Sequence, residues 1–386
     1  MRNGSILLAG VLLASCGGGG SHAIPMTAQF NGAASAMARG YRVLHSFGSP
    51  GDGSQPHAAL IAVGHKLYGT TYAGGTYGSG TVFETTTSGT ERVIYSFGSG
   101  SDGTYPYAPL LDGGGGVLFG TTFGGGKNGA GTVFSVTTAG KEKVIYSFDT
   151  RHGSTPVDAL VKIGSELYGT TEGGGPNNHG TIFAVSLGGK ERVLHNFAGG
   201  KDGASPFGGL TLVKGELYGT TQFGGSRNDG TVFAVTTTGK EHVVYSFRDQ
   251  GDGEFAKAAL LAVGGKLYGT TSVSGGDGGG AVFYVTTSGQ EHTLYLFQNP
   301  TLGAGPSSLV SYNGRFYATT SDGGAYRYGT VFSLTGAGTH IILHPFGSGK
   351  DGQTPYAGLI HLGTKMYGTT AFGGASGAGT IFSVSP

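Results

Sequence analysis

Leu67-Tyr68-Gly69-Thr70-Thr71 is the stretch on which the fold turns, because nearly the same five residues return six more times. The later copies begin at Leu118, Leu167, Leu217, Leu267, Phe316 and Met366, giving steps of 51, 49, 50, 50, 49 and 50 residues. A period in that range means a propeller, solenoid or array. Seven such units use up nearly all of the 386-residue chain, so the repeats form one domain, not the two or three that length alone suggests.

Working outward from the motif, each unit offers four short β signals separated by turn residues. In the second unit they are strand a at 108–112, b at 117–122, c at 132–137 and d at 143–148. The a-to-b and c-to-d turns are short and carry glycine, as in Val63-Gly64-His65-Lys66 and Ser88-Gly89. The b-to-c and d-to-a connections are longer and more varied, as at 124–131 and 98–106. In an up-and-down meander the two kinds of connection lie at opposite ends, so one face is trimmed and the other decorated.

Prolines test the strand order, because a proline removes a ladder donor and is tolerated at sheet edges or strand starts. Pro56, Pro106, Pro156, Pro206, Pro306 and Pro355 precede strand a; Pro109 falls inside an a strand and Pro345 inside a d strand. Strands b and c are thereby the middle of each sheet. Small residues before a leucine, as at Ala58-Ala59, Gly208-Gly209, Ala258-Ala259, Ser307-Ser308 and Ala357-Gly358, place a innermost, where sheets converge. Charge at Glu91-Arg92, Glu142-Lys143, Glu191-Arg192 and Glu241-His242 places d outermost, and the glutamates read as solvated edge residues.

The two ends are out of phase in a useful way. Residues 41–47 match strand d, whereas the chain stops in strand c of the seventh unit. A solenoid has no use for that offset. The fold class is all-β: a seven-bladed β-propeller of four antiparallel strands per blade over 41–386, closed by the N-terminal strand completing the last blade.

Before it lie Arg2, an apolar run over 6–13 and Leu13-Ala14-Ser15-Cys16, the layout of a lipoprotein signal over 1–15 with the sole cysteine as the acylated residue. Residues 16–40, rich in Gly, Ser and Ala, read as the lipidated Cys16 and a flexible tether. Partner and address follow as expectations: a lipid-anchored monomer of the bacterial cell envelope, at the outer membrane or surface. A net charge of +1 with 12% charged residues excludes a nucleic-acid partner.

The repeated Leu-Tyr-Gly-Thr-Thr, the Gly-Gly, the Gly-Thr-Val-Phe at 80–83, 131–134 and 230–233, and Asp-Gly-x-x-Pro resemble the GloVer tandem repeat of bacterial surface proteins, a choice-of-anchor family. The resemblance covers about residues 41–386. It implies a cell-envelope repeat protein and brings no catalytic residues. Kelch repeats and sialidase Asp boxes both expect tryptophan, and the chain has none.

No nucleophile elbow, zincin motif, Walker loop or Cys/His cluster is present, so no catalytic residue, metal ligand or cofactor is assigned. Asp52, Asp102, Asp202, Asp252 and Asp351, each before Gly, read as turn residues accepting from backbone two positions on. Asp249 with Asp252 is the best calcium pair. His45, His195 and His344 share a phase with Tyr95, Tyr146, Tyr245 and Tyr295, which suits an apolar ring with a polar tip bonded between sheets.

Residues that break the repeat cluster in the b-to-c loops: Tyr77, Asn177, Asn178, His179, Arg227, Asn228, Asp229, Tyr326, Arg327 and Tyr328, joined by Tyr105, Tyr107, Phe207 and Tyr356 near the d-to-a connections. Tyr77, Asn178, His179, Arg227, Asn228, Tyr326, Arg327 and Tyr328 are the candidate ligand-binding set, since loops on a rigid scaffold carry recognition. The function expected is non-enzymatic recognition or scaffolding of a glycan or protein partner. Alternatives are a surface polysaccharide lyase or glycosidase, for which the loops offer only Glu172, Asp229, Asp277 and Asp322, and a structural spacer.

Overall fold

The computed structural model describes residues 40–248, 251–273 and 278–386. The signal, Cys16 and the tether up to residue 39, together with Asp249 and Asp277, lie outside the described residues. The rest is a seven-bladed β-propeller. Blade 1 runs a Ile61–Val63, b Lys66–Thr71, c Thr81–Thr86 and d Glu91–Ser96, each strand antiparallel to the next. Blade 7 takes a Ile360–Leu362, b Lys365–Thr370 and c Thr380–Val384 from the C-terminus and d Arg42–Ser46 from the N-terminal side, with Arg42 opposite Ser383 and Ser46 opposite Thr380. The ring is closed by that clasp.

The pentapeptide accounts for itself position by position. Leu67 and Tyr68 are buried between blades. Gly69 must be small: a β-carbon there would lie 2.6 Å from Phe83 Cζ and 2.8 Å from Leu60 Cδ2. Thr70 donates across to the Ala108 carbonyl of the next blade at 3.2 Å, and Thr71 accepts the Thr81 amide while donating to the Ala73 carbonyl. Five residues thus serve two cores, one close approach, one staple between blades and one ladder.

Packing between blades repeats as strictly as the sequence. Each d strand ends in a phenylalanine set edge-on against the c-strand phenylalanine of the next blade, from Phe47–Phe83 at 5.2 Å through Phe97–Phe134 at 5.0 Å to Phe346–Phe382 at 5.1 Å. These pairs are fully buried, and edge-to-face rings add about 0.5–1.5 kcal/mol beyond their area. A bulge recurs between c and d, as where Val82 faces Tyr95 but Phe83 faces Val93, and bulges increase twist.

Several expectations need correction. Strand a begins after the leucine, at Leu111–Gly114 in blade 2, so Ala58-Ala59 and its equivalents precede the strand and Pro109 lies outside it. The other expected strands shift by a residue at most: b Val117–Thr122, c Thr132–Thr137 and d Glu142–Ser147. Blades 4 to 6 add a short strand from the d-to-a connection, such as Ala204–Pro206 against an extended b strand Glu216–Phe223.

The d-strand glutamates are not solvated edge residues. Along d, Glu turns toward the neighbouring blade while the following Arg, Lys or His stays exposed. The Glu91 and Glu241 side chains are 9% and 8% exposed, and Oε1 of Glu91, Glu142, Glu191 and Glu241 is buried with no hydrogen-bond partner. Burial and the adjacent loop aspartate push Glu91, Glu142 and Glu241 up to about 7. The Asp-Gly aspartates also differ from the expected turn. Asp102 accepts backward, from the Gly98 and Ser99 amides and from the Tyr95 hydroxyl at 2.7 Å, and Asp202 accepts from the Ala198 amide and His195. The Tyr-or-His phase and the Asp-Gly phase are one device, seven residues apart.

Candidate functional site at the axial mouth

The b-to-c and d-to-a loops share one end of the ring and are hydrogen bonded together: the Gly75 amide donates to Asp52 O at 2.6 Å and the Tyr105 amide to Ser79 O at 2.8 Å. At the centre of this decorated face all seven blades contribute to the wall of a cavity of about 340 Å³. That is within the range of small-ligand sites.

Two phases of the repeat build the mouth. The residue after the d-to-a proline supplies His57, Tyr107, Val157, Phe207 and Tyr356, with Lys257 at the same phase after Ala256. The residue after the b-strand Thr-Thr supplies Ser272 and Ser321. His57 stacks between Tyr107 and Tyr356, 5.1 Å from each ring, and Tyr107 meets Phe207 at 6.0 Å. Lys257 Nζ lies 6.0 Å from the Phe207 ring centre, a cation–π contact. The residue two positions before this phase is left-handed in six blades without being glycine, including Tyr105 at φ 59° and Phe255 at φ 58°. Such backbone strain costs of order 1 kcal/mol or more per residue and persists where the surroundings impose it.

Deeper in the cavity stands Asp158, the one carboxylate in a ring of Ala, Gly and Ser. Its carboxylate accepts the Ala159 amide at 2.6 Å and the Gly209 amide of the next blade. Burial raises it to about 6 against those two bonds. The hydroxyls of Thr121 and Thr170, whose counterparts Thr70, Thr270 and Thr369 staple neighbouring blades, are left without partners on either side of Asp158. One carboxylate therefore coincides with the loss of two staples.

The other mouth groups are tuned by the same dryness. His57 is pushed down to about 4 by burial, and its Nδ1 is buried with no partner. Tyr107 is pushed up to about 12 by burial, then by Tyr356, Asp158 and Glu172. Glu172 is raised by burial and lowered by the Lys257 charge.

The residues singled out in the b-to-c loops stand outside this mouth. Tyr77, Tyr326 and Tyr328 are exposed on the rim, Tyr77 against Gly98 and the other two against Gly347. Asn178 and Asn228 hold left-handed turn positions, with Oδ1 accepting the Gly174 and Gly224 amides at 3.0 Å. His179 packs on Gly199, while Arg227 and Arg327 are exposed. They come from blades 1, 3, 4 and 6 and do not converge. Tyr107, Phe207 and Tyr356 do converge, together with His57, Asp158 and Lys257, which sequence reasoning passed over. Comparing the repeats at a single phase, the residue after proline, would have exposed four of those six.

The fold and its sequence repeat define a class: a closed propeller built from a motif of about 50 residues. The chain belongs to the Gloeobacter/Verrucomicrobia repeat family, whose model matches residues 10–183 and 160–382. No curated protein matches it in sequence. Among solved structures it is similar to the computationally designed Ika8 protein, at 13% identity and TM-score 0.50 over 89% of this chain and all of that one. It is also similar to puromycin hydrolase, at 14% identity and TM-score 0.54 over 84% of this chain, which spans about half (52%) of that enzyme. A Bacteroides uniformis protein assigned as a 6-phosphogluconolactonase matches at 15% identity and TM-score 0.51, over 78% of this chain and 88% of that one. At these identities the likeness concerns the fold alone.

Proposed function

We propose that the propeller is a glycan-recognition module of the bacterial cell envelope, held there by lipid-modified Cys16, with its ligand seated at the axial mouth. The observation that carries this is the mouth's composition. Where the repeat is broken, the wall presents aromatic rings, serine hydroxyls, one ammonium and one carboxylate around about 340 Å³. Sugars need aromatic faces for their C–H surfaces and mixed donors and acceptors for their hydroxyls. Rim residues such as Arg227 and the run Tyr326-Arg327-Tyr328 extend the surface for a longer chain. A glycan array probed with the purified propeller, followed by calorimetry, tests the reading. Saturable binding to a defined glycan that falls on Tyr356→Ala supports it, and a blank array with a protein partner captured instead overturns it.

One observation favours a second reading. Asp158 near 6 lines the cavity and a raised Glu172 acts with it on Tyr107 from behind the wall, and an acid kept partly protonated at neutral pH with a second carboxyl nearby is what glycosidic bond cleavage requires. Release of shorter glycan products by the wild type, abolished by Asp158→Asn, would establish it over simple binding.

A further inference from the structure

We propose that two of the seven seams between blades are binding sites for a divalent transition-metal cation, each made of one histidine, one aspartate and one glutamate. At the closing seam His45 and Asp52 come from the N-terminal strand and the connection after it, and Glu91 from strand d of blade 1. His45 Nε2 is 3.1 Å from Asp52 Oδ2 and 4.0 Å from Glu91 Oε2. At the seam between blades 3 and 4, His195 Nε2 is 3.1 Å from Asp202 Oδ1 and 3.9 Å from Glu241 Oε2. In both trios the donor atoms lie within 4.8 Å of one another.

The glutamates carry a second feature, an open carboxylate oxygen that Glu142 and Glu191 share, but only here, among the described residues, does the carboxylate join a histidine and an aspartate in such a trio. Glu91 and Glu241 are more than nine-tenths buried, each reaches toward the histidine with Oε2, and each leaves Oε1 buried with nothing to accept. Two carboxylates brought together in a dry seam need a counter-charge. A protonated imidazole supplies one positive charge; a divalent cation supplies two and takes the open oxygen as well.

Donor chemistry narrows the ion. One imidazole nitrogen with two carboxylate oxygens suits Zn²⁺, Mn²⁺, Fe²⁺, Co²⁺ or Ni²⁺, whereas Ca²⁺ and Mg²⁺ prefer all-oxygen shells. With bonds of about 2.0–2.2 Å, donor atoms on one tetrahedral zinc stand roughly 3.4 Å apart, close to the separations present. Three protein donors leave a position for water.

The other seams act as internal controls. Where the histidine is Tyr95 or Tyr245, its hydroxyl donates to Asp102 or Asp252 at 2.7 Å, and the trio lacks its nitrogen. Where the glutamate phase holds Tyr41 or His340, that ring stacks on His344 at 3.6 Å or on Tyr295 at 4.7 Å and fills the space. Among the described residues only two seams keep all three donors. One of them is the seam that the clasp closes, so the ion would fasten strand Arg42–Ser46 to blade 1.

The test uses the untagged full chain stripped with chelator, then titrated with Zn²⁺ and separately Co²⁺, with bound metal counted by elemental analysis. The expected result is two ions per chain above the count for the Glu91→Gln/Glu241→Gln double variant, one for either single variant, and still two for the control Glu142→Gln. Both single variants are isosteric, and their melting in chelator checks that they fold. Co²⁺ should give visible absorption that the double variant loses at least tenfold. A count unchanged in the double variant, uptake of Ca²⁺ with none of Zn²⁺, or no uptake at all would overturn the proposal.

Discussion

His57 and Tyr107, from successive blades, stack across the axial mouth with ring centres 5.1 Å apart and planes 24° apart. The contact keeps His57 dry and neutral down to about pH 4, so it does not titrate between pH 5 and 8. Asp158, raised to about 6, does. If the carboxylate form accepts ligand hydroxyls, affinity should rise from pH 5 to 7 and level off. Asp158→Asn should flatten that profile, as calorimetry at four pH values will show, while His57→Phe should leave its midpoint in place.

The glycine of the repeated pentapeptide is a packing requirement. A β-carbon on Gly169 would stand 2.7 Å from Phe183 Cζ and 2.9 Å from Leu160 Cδ2. Gly169→Val should cost about 1–3 kcal/mol as an overpacked core. Blade 6 already carries Ala318 at this phase, buried beside Phe332, so Ala318→Gly should cost about 1 kcal/mol or less. Denaturant midpoints of the two variants would check the contrast.

Removing residues 41–47 takes the outer strand from blade 7 and Phe47 from the seam with Phe83. The melting temperature should fall sharply, and Phe47→Ala alone should cost about 3–5 kcal/mol. A truncated ring that melts within a degree or two of the intact one would disprove the clasp.

Glu142 carries a pH signature in the seam. Its folded value of about 7 exceeds the ordinary one, so folding favours the protonated form. That stabilisation is full at low pH and is lost as pH rises through about 7. Glu142→Gln should therefore gain on the wild type in melting temperature as pH goes from 5 to about 7 and hold that gap up to pH 8.5. Parallel melting curves across that range would contradict the assignment.

Cys16→Ser should release the protein from membrane fractions and abolish incorporation of labelled lipid. Retention with unchanged labelling would remove the anchor from the proposal.

Much of the fold was legible because the repeat writes it seven times. The pentapeptide period sets the blades, the prolines set the strand order, and the d-type segment at 41–47 announces closure. The mouth was harder to read because its residues matter by not repeating. Small pairs before a leucine mark the axis in five blades, and the exceptions, Ala108-Pro109 and Asp158-Ala159, include the one carboxylate that lines the cavity among the described residues. Glu91 was misread for a related reason. A charge at the start of an outermost strand looks solvated until the preceding blade covers it, as His45 and Asp52 cover Glu91, and no local pattern in the sequence carries that neighbour.

The most direct test of the axial mouth as the binding site is a calorimetric titration of one glycan into the wild type and two double variants, Tyr107→Ala/Tyr356→Ala and Tyr326→Ala/Tyr328→Ala. The mouth variant is expected to lose affinity tenfold or more, since truncating an aromatic anchor at the centre of a binding surface commonly costs above about 1 kcal/mol, and the rim variant less than threefold. The reverse order, with the rim pair abolishing binding and the mouth pair leaving it intact, would contradict the assignment.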